Sequence, residues 1–346
     1  MKSWNIVFTG PKQAELIQEE LPELQDNKIL CRTEYTLISI GTESHCYNGI
    51  FDEGSHWAGW VKYPFHPGYS NVATVVEVGS AVSKFKPGDR VASPWHHRQY
   101  FLASEGDLQM IPDEVDSIDA SWINLAGVAQ RCVRKCNVQM GDVVAVIGQG
   151  PVGQLTTQFV RSCGALEIIA IDPVAARAEG AKLSGADYVL SCTAADALDE
   201  VVKITEGRLA DIVIDTTGHP KVLAQACALV RTNGKVGLVG DTVTPSQQVV
   251  GEGLISKSIN ILGCGGGAHV PEDTAYAQTI AAGVHNKALI DWNHALTMKY
   301  LQKKRLNFKH LVSHRFSPKD APAVYAALQT DRASYQGVVF DWSLLD

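Results

Sequence analysis

A glycine-rich turn in the middle of the chain has the spacing of a dinucleotide-binding motif. In the stretch VAVIGQGPVGQL an apolar run precedes Gly148, Gly150 and Gly153, and a helix-like segment beginning Pro151-Val152 follows. The first glycine permits a sharp bend, the second lets the backbone approach a pyrophosphate, and the third lets helix and strand pack closely. The helix N-terminus attracts the phosphates. The motif predicts that these five residues bind a cofactor, although the spacing alone also suits a simple tight turn.

An acidic residue ends the next strand-like run, EIIAID. Asp172 stands 19 residues after Gly153, where a carboxylate accepts hydrogen bonds from the adenine ribose hydroxyls. A carboxylate at this position repels the 2′-phosphate of NADP, and no cationic residue follows until Arg177. Asp172 therefore predicts NAD(H) as the cofactor. The alternative that stays open is a sheet of the same type that binds no nucleotide.

The elements that must position these residues follow from the rhythm of the chain. From about residue 125, apolar strand-like runs alternate with helix-like segments, which predicts βαβ units and a doubly wound parallel sheet. Thr217 and Gly240, at the carboxyl ends of two such runs, complete the expected cofactor-binding residues. Residues 1–120 instead carry short β-branched or aromatic runs between turn residues, a pattern typical of a compact barrel. The six strand-like runs are 143–148, 167–172, 188–190, 211–218, 235–240 and 259–263.

Composition excludes several classes of function. The chain has 346 residues, 45% hydrophobic and 19% charged, with a formal net charge of −7, so it offers no overall attraction to nucleic acid or to an anionic membrane. No apolar run approaches the roughly 18–20 residues of a membrane span, and the N-terminal segment turns acidic where a signal peptide needs an apolar region. We expect a cytoplasmic protein with a small-molecule partner.

The eight cysteines are scattered, and no pair has the C-x-x-C spacing that structural zinc sites usually require. Cys132 and Cys136 are four apart and share a helix face if this segment is helical. The simplest interpretation is two small buried side chains. The sequence therefore predicts reduced thiols and no metal site.

Several motifs along the chain resemble the medium-chain dehydrogenase/reductase superfamily of zinc-type alcohol and sorbitol dehydrogenases. The resemblance implies an α/β protein with a GroES-like β-barrel catalytic domain at 1–124 and 267–346, a Rossmann domain at 125–266, and a substrate cleft between them. Residues 129–240 are similar to the sorbitol- and threonine-dehydrogenase branches, whereas IGTESHC and HPGYSNV look closer to a branch that includes hydroxyethyl-bacteriochlorophyllide dehydrogenase. The motifs that carry the resemblance are PGYSNVATVVEVG, FKPGDRVA, GDVVAVIGQGPVG and HLVSHRFS.

The chain departs from this family at its zinc ligands. The family's cysteine position holds Ile40, its Gly-His-Glu motif reads Gly-Tyr69-Ser70, and a further ligand position holds Asn124. Isoleucine cannot bind a metal, and the other side chains are poor substitutes for thiolate, imidazole and carboxylate on Zn²⁺. The four-cysteine structural zinc lobe is also missing from the sequence. We therefore expect no catalytic zinc.

The resemblance assigns Thr42 and His45 to proton-relay positions and places Tyr69 where a ligand would face the substrate. A phenol there can donate a hydrogen bond or, with a lowered pKa, act as a base. Two alternatives stay open: Tyr69 fills the space of a lost metal, and His45 is a satisfied interior histidine. Four more histidines of this region, His56, His66, His96 and His97, could hold a metal in a new arrangement, although no H-x₃-H or H-E-x-x-H spacing supports one. The neighbouring Trp57, Trp60 and Trp95 either line an aromatic substrate pocket or belong to the ordinary core.

These features predict a zinc-independent, NAD(H)-dependent oxidoreductase that acts on a secondary alcohol or ketone, with a polyol or sugar-like substrate as the first guess. One rival is a zinc-free reductase of activated C=C bonds or quinones, which usually prefers NADPH. Another is a non-catalytic NAD-binding sensor. The apolar run SINILG, residues 258–263, aligns with the strand that pairs across a two-fold axis in the family, so we expect a homodimer.

Overall fold

The computed structural model describes residues 1–265 and 287–345, which form two compact units. The first unit combines residues 1–124 and 294–346, and the second comprises residues 125–293. The first change of unit falls between Asn124 and Leu125.

The second change of unit lies later in the chain than the expected return at residue 267. The helix Lys287–Gln302 runs across it. Asn293 belongs to the second unit, because its side-chain oxygen accepts a hydrogen bond from Arg134 Nε at 3.0 Å. Met298 is buried in the core of the first unit. The chain passes from one unit to the other within this helix, which sequence patterning did not indicate.

Fifteen strands and ten helices form in the described residues. The strands are β1 (Lys2–Gly10), β2 (Gln13–Glu20), β3 (Ile29–Leu37), β4 (Asn71–Val78), β5 (Arg90–Ser93), β6 (Tyr100–Ala103), β7 (Gln109–Met110), β8 (Val143–Ile147), β9 (Glu167–Ile171), β10 (Tyr188–Leu190), β11 (Ala210–Asp215), β12 (Val230–Leu238), β13 (Asn260–Gly263), β14 (Val312–Phe316) and β15 (Gly337–Asp341). The helices are α1 (Ile40–Asn48), α2 (His56–Trp60), α3 (Ser117–Ala120), α4 (Ile123–Lys135), α5 (Pro151–Ser162), α6 (Ala175–Leu183), α7 (Leu198–Ile204), α8 (Val222–Leu229), α9 (Lys287–Gln302) and α10 (Ala321–Thr330).

The first unit is the β-rich domain that the short strand-like runs predicted, and it has the GroES-like fold that the family resemblance implies. A seven-stranded sheet has the order β14-β15-β3-β4-β5-β7, with β6 paired on β3, and β1 and β2 form a separate hairpin. Its pairs are antiparallel except for β14 on β15. Alternate residues of β3, β4 and β6, such as Ile29, Cys31, Ala73, Val75 and Phe101, fill one core cluster. Helix α1 begins at Ile40, three residues after the end of β3.

The second unit is the Rossmann domain, with the parallel strand order β10-β9-β8-β11-β12-β13. The strands are nearly continuous apolar runs, and all five residues of β8 are buried, as expected when helices cover both faces of a parallel sheet. In such a sheet, ligands bind at the carboxyl ends of the two strands where the strand order reverses. Here those strands are β8 and β11, so the site expected from the sequence falls at their ends.

One element boundary differs from the sequence expectation. The segment up to Gly234 reads as helix-like, but α8 ends at Leu229 and β12 already begins at Val230. Val230 pairs with Ala210 of β11, and the register then shifts before Ile212 pairs with Lys235. The extra residues form a bulge with Asn233 in the left-handed conformation, φ 57°. Burial of Val230 in the sheet outweighs the helical pattern.

None of the helices in the described residues is long and apolar enough to cross a lipid bilayer. This finding agrees with the absence of a long apolar run in the sequence.

Candidate functional site

The glycine-rich turn joins the end of β8 to the start of α5. Gly148 has a φ of 85°, which a residue with a side chain rarely adopts. A Cβ on Gly153 would lie 1.9 Å from the Gly148 carbonyl oxygen, whereas a Cβ on Gly150 would meet nothing within 4 Å. Gly150 begins α5 without a side-chain cap, and Pro151 is the first helical residue. The turn thus presents open space and a helix N-terminus, an arrangement that fits a pyrophosphate.

Asp172 follows β9 and is held by the turn itself. Its two carboxylate oxygens accept hydrogen bonds from the backbone N–H of Gln149 at 2.7 Å and of Val174 at 2.8 Å, and the residue is only 4% exposed. Because a carboxylate can accept about four hydrogen bonds, two acceptor positions stay available for ribose hydroxyls. Asp172 therefore has a structural task, bracing the glycine turn, that the sequence motif did not reveal.

The ends of β11 and β12 lie beside the glycine turn. A Cβ on Gly148 would come within 2.8 Å of Thr217 Cγ2, and Thr217 is braced by hydrogen bonds from its N–H and hydroxyl to Asp215 at 2.8 and 2.6 Å. Burial raises the pKa of the Asp215 carboxyl, an effect that these hydrogen bonds oppose. Gly240 approaches the neighbouring loop so closely that a Cβ would lie 2.1 Å from Gly218 N. The close packing at position 240 therefore leaves no room for a side chain.

In the first unit, three hydroxyl groups meet at the start of α1. The Tyr69 phenol and the Ser39 hydroxyl are 2.6 Å apart, and the Thr42 side chain lies close enough to lower the pKa of the phenol. Burial raises the pKa of the Tyr69 phenol, and the neighbouring Ser39 and Thr42 side chains only partly offset this effect. The phenol is therefore protonated at neutral pH and is able to donate a hydrogen bond. The structure brings Thr42 and Tyr69 together as expected and adds Ser39, which sequence reasoning missed.

His45 lies one turn along α1 from Thr42, so the two share a helix face. Burial and, to a smaller extent, the charge of Arg332 together lower the pKa of His45 to about 4. The imidazole is neutral at physiological pH. Its ring packs edge-on against Trp57 with a centroid distance of 5.5 Å, and Trp57 in turn packs on Trp60 at 5.7 Å. An aromatic surface therefore borders His45.

A buried network that no sequence motif indicated anchors α1. Glu43 is 1% exposed and accepts three hydrogen bonds, from the Ser39 N–H at 2.7 Å, from His97 Nε2 at 2.9 Å and from the Tyr325 hydroxyl at 2.5 Å. A Cβ on Gly68 would lie 2.7 Å from the His97 ring. The network fixes the turn that carries Ser39, and with it the hydroxyl cluster. The one sequence signal for this network was the acidic residue Glu43, which lies four positions after Ser39 in a segment that folds as a buried helix.

The positions of the family's catalytic zinc ligands do not fit a zinc ion here. Ile40 is an apolar side chain with 2% exposure. The Ser70 hydroxyl is buried and finds no hydrogen-bond partner within the described residues. Asn124 uses its side-chain N–H to donate to the Ser93 carbonyl at 3.1 Å. These groups supply neither thiolate nor imidazole nor carboxylate, so no catalytic step of this protein is assigned to a metal at this place.

The extra histidines of the first unit bind separate partners. His66 contacts Glu19 at 2.9 Å, His96 contacts the Gly68 carbonyl at 2.9 Å, and His56 stacks on Trp60. Among the described residues, the group of His, Cys, Asp or Glu side chains with metal-binding proximity consists instead of three cysteines of the second unit. Two of them, Cys132 and Cys136, are the pair for which the sequence pattern suggested two ordinary buried side chains. The three are Cys132, Cys136 and Cys264.

Comparison with protein families and relatives gives two domain matches. Residues 30–135 match the model of the alcohol dehydrogenase GroES-like domain, and residues 151–282 match the model of the zinc-binding dehydrogenases. The chain is 25% identical to a sorbitol dehydrogenase of Halalkalibacterium halodurans over 91% of this chain and 93% of the relative.

Solved structures show the same fold. A short chain alcohol dehydrogenase of Escherichia coli complexed with NADH superposes with a TM-score of 0.79 at 20% identity, covering 99% of both chains. A zinc-binding dehydrogenase of Sinorhizobium meliloti bound to NADP gives a TM-score of 0.78 at 18% identity, again with 99% coverage of both. The two domain matches, the full-length relatives and the two observed domains together place this chain in the medium-chain dehydrogenase/reductase superfamily of zinc-type alcohol and sorbitol dehydrogenases.

Proposed function

We propose that this protein is an NAD(H)-dependent oxidoreductase that interconverts a secondary alcohol and a ketone without a catalytic metal ion. The observation that carries the proposal is the hydroxyl cluster of Ser39, Thr42 and Tyr69, because the resemblance implies a metal ligand of zinc-type relatives at the Tyr69 position. When bound, the nicotinamide supplies the hydride chemistry at the carbinol carbon. The protein supplies orientation and stabilises the charge on the substrate oxygen.

The protonated Tyr69 phenol provides the polar partner that the substrate oxygen needs. In ketone reduction it donates a hydrogen bond to the carbonyl oxygen, where negative charge develops, and then gives up its proton. Ser39 and Thr42 stabilise the resulting phenolate and pass a replacement proton to it. In alcohol oxidation the same hydroxyls carry the alcohol proton away, so that alcohol and NAD⁺ yield ketone, NADH and one proton.

His45 has a positioning task in this scheme. Its imidazole is neutral because burial lowers its pKa to about 4. It can therefore donate a hydrogen bond to a substrate hydroxyl, or accept one from it, without placing a positive charge in the site. Trp57 is buried against His45, but Trp60 packs on Trp57 and is 46% exposed, so its ring offers an apolar surface for a ring-shaped substrate. These features and the sorbitol dehydrogenase relative favour a polyol or sugar-like alcohol.

We infer a preference for NAD(H) over NADP(H) from Asp172. Its carboxylate is held at both oxygens by the backbone N–H groups of Gln149 and Val174, so it cannot turn away to accommodate a second negative charge. The 2′-phosphate of NADP would lie against this fixed carboxylate at considerable electrostatic cost.

We further propose that the protein is a cytoplasmic homodimer. The eight cysteines are free thiols, as is usual in a reducing compartment. In the described residues, β13 stands at the end of the sheet order, and an exposed strand edge is commonly covered by a second copy.

The test of the proposal is a panel of polyols, sugars and simple secondary alcohols, with the matching ketones, followed at the NADH absorbance with NAD(H) or NADP(H). We expect turnover with NAD⁺ and a secondary alcohol. Tyr69→Phe removes only the phenol oxygen and should lower kcat by about 10²–10³-fold, the usual effect of losing an oxyanion donor, with little change in the NAD⁺ dissociation constant. Tyr35→Phe is the matched control, because the Tyr35 phenol bonds Arg315 and not α1.

Other outcomes would redirect the proposal. Turnover confined to activated C=C bonds or quinones with NADPH would identify the reductase alternative. Tight NAD binding with no turnover on the whole panel would indicate a sensor. Equal activity of Tyr69→Phe and the unmutated protein would remove the hydroxyl cluster from the mechanism.

A further inference from the structure

Three cysteines that are far apart in sequence meet in the interior of the second unit. Cys132 lies in the last turn of α4, and Cys136 follows this helix directly, with its N–H bonded to the Cys132 carbonyl at 2.8 Å. Cys264 directly follows β13. Their sulfur atoms all lie within 4.8 Å of one another, and the Cys132 and Cys136 sulfurs are 3.8 Å apart. The three residues are at most 1% exposed.

The sulfur separations match a metal thiolate better than a disulfide. Four thiolates about 2.3 Å from a tetrahedral Zn²⁺ are about 3.8 Å from one another, which is the Cys132–Cys136 separation. A disulfide requires sulfurs about 2.05 Å apart and Cβ atoms about 3.5–4.5 Å apart. Residues four apart on a helix hold their Cβ atoms at about 5–6 Å, so α4 cannot form this disulfide without unwinding.

The backbone of β12 leaves room for the three sulfurs. Gly237 lies directly beneath them, and a Cβ on Gly237 would come within 2.4 Å of Cys136 Sγ, 3.1 Å of Cys132 Sγ and 3.7 Å of Cys264 Sγ. A side chain at this point would enter the space around which the sulfurs converge. Gly237 therefore keeps the three sulfur atoms directed at one volume.

Cationic side chains surround the same volume. Lys135 Nζ donates to the Gly263 carbonyl at 2.6 Å, Arg131 Nε to the Cys264 carbonyl at 3.1 Å, and Lys235 Nζ to the Cys136 carbonyl at 2.8 Å. Arg131 is only 6% exposed. Three thiolates around a divalent cation carry one net negative charge, which these cations would balance.

We propose that Cys132, Cys136 and Cys264 form a binding site for one thiophilic metal ion, of the zinc class, in the Rossmann unit. The site lies in a different unit from the catalytic zinc position of the family and does not depend on the proposed reaction. Bound metal would tie α4 to the end of β13 and stabilise the unit in proportion to its affinity. The fourth coordination position is filled by a non-cysteine ligand such as water.

The test uses the full-length protein, purified under reducing conditions without added metal and treated with chelator. Cd²⁺ is the probe, because its thiolate complexes absorb in the ultraviolet and report sulfur ligation directly. We expect one equivalent to bind with a thiolate charge-transfer band, and the thermal midpoint to rise. Cys264→Ala and Cys132→Ala should each weaken binding by at least 100-fold and abolish the midpoint shift.

Cys227→Ala is the matched control, because Cys227 is equally buried in the same unit and lies outside the cluster. It should keep the band, the stoichiometry and the midpoint shift. If either cluster variant fails to fold, as judged by circular dichroism, the unmutated protein and Cys227→Ala still decide the matter by the presence or absence of the band. No band in the unmutated protein, or an equal band in Cys264→Ala, would overturn the proposal.

Activity measured on the same samples separates this site from the reaction. Chelator-treated protein should keep full turnover, since the metal is structural. Two results together would contradict both the cysteine site and the metal-free mechanism. They are the loss of activity when zinc is removed from the unmutated protein, and the retention of zinc by Cys264→Ala, because both would place the metal elsewhere.

Discussion

Single residues in this protein combine structural and functional tasks, and Asp172 is the clearest case. Its carboxylate braces the glycine turn through the Gln149 N–H and the turn after β9 through the Val174 N–H. The same carboxylate is the group we expect to recognise the cofactor ribose. A substitution at this residue must therefore affect both stability and cofactor choice.

Asp172→Ala should weaken NAD binding by about 1–3 kcal/mol, because the ribose hydroxyls lose a charged acceptor, and should relax discrimination against NADP. The free energy of unfolding should also fall, since two backbone N–H groups lose their acceptor. Fluorescence titration with each nucleotide and denaturant unfolding measure the two effects. Asp172→Asn, which keeps one oxygen acceptor, should lose less stability. Equal affinity of the unmutated protein for both nucleotides would contradict the assignment.

His45 gives the protein a pH dependence whose sign follows from its pKa. The ordinary value of 6.5 falls to about 4 in the folded state, so between these values the unfolded chain binds a proton that the folded protein does not. The free energy of unfolding should therefore decline as pH falls from 6.5 toward 4. His45→Gln should reduce this slope, whereas His219→Gln, at an exposed position of the second unit, should not. Denaturant unfolding at pH 7 and pH 5 measures the difference; identical slopes in both variants would exclude the effect.

At the scale of elements, α1 is anchored by hydrogen bonds from residues far away in the sequence. Glu43 connects its first turn to His97 and to Tyr325 on α10, and 282 residues separate Tyr325 from Glu43. The phenol of Tyr325 has a pKa well above the ordinary value because of burial and of the neighbouring Glu43 carboxylate. The hydroxyl cluster at the start of α1 thus depends on the C-terminal segment of the chain.

Tyr325→Phe removes one donor to Glu43 without changing the packing of the ring. We expect the free energy of unfolding to fall by about 1–3 kcal/mol, because a buried acceptor loses a partner. We also expect kcat to fall more than KM rises, since α1 positions Ser39 and Tyr69. Tyr335→Phe on the same unit is the control and should behave like the unmutated protein. Unchanged stability and kcat in Tyr325→Phe would show that the network does not position α1.

At the scale of the whole molecule, the proposed homodimer rests on β13. Light scattering at micromolar concentration should give twice the chain mass of 37.4 kDa. Leu262→Lys on this strand should shift the protein toward the monomer, because a charge beside the strand edge opposes edge-to-edge pairing. Val249→Lys, an exposed apolar position outside the strands, is the control. A monomer mass for the unmutated protein would contradict the proposal.

The sequence by itself determined the Rossmann sheet, the GroES-like domain and the glycine turn with Asp172. These features are local, since strand and helix periodicities and a short glycine spacing reside in contiguous residues. It also indicated that the family's zinc ligands are replaced, because that requires only the identity of aligned residues.

The tertiary structure decided which distant side chains meet and how they ionise. The partners of Glu43 come from three separate segments, and Cys264 joins Cys132 and Cys136 across 128 residues or more, so no local pattern contained either cluster. The rise in the pKa of the Tyr69 phenol above its ordinary value likewise follows from burial, a property of the packed interior. Helix α9 changes unit midway because Asn293 and Met298 bond and pack on opposite sides of the boundary. Contacts between residues far apart in sequence bring these side chains together, and such contacts leave no periodic pattern in the sequence.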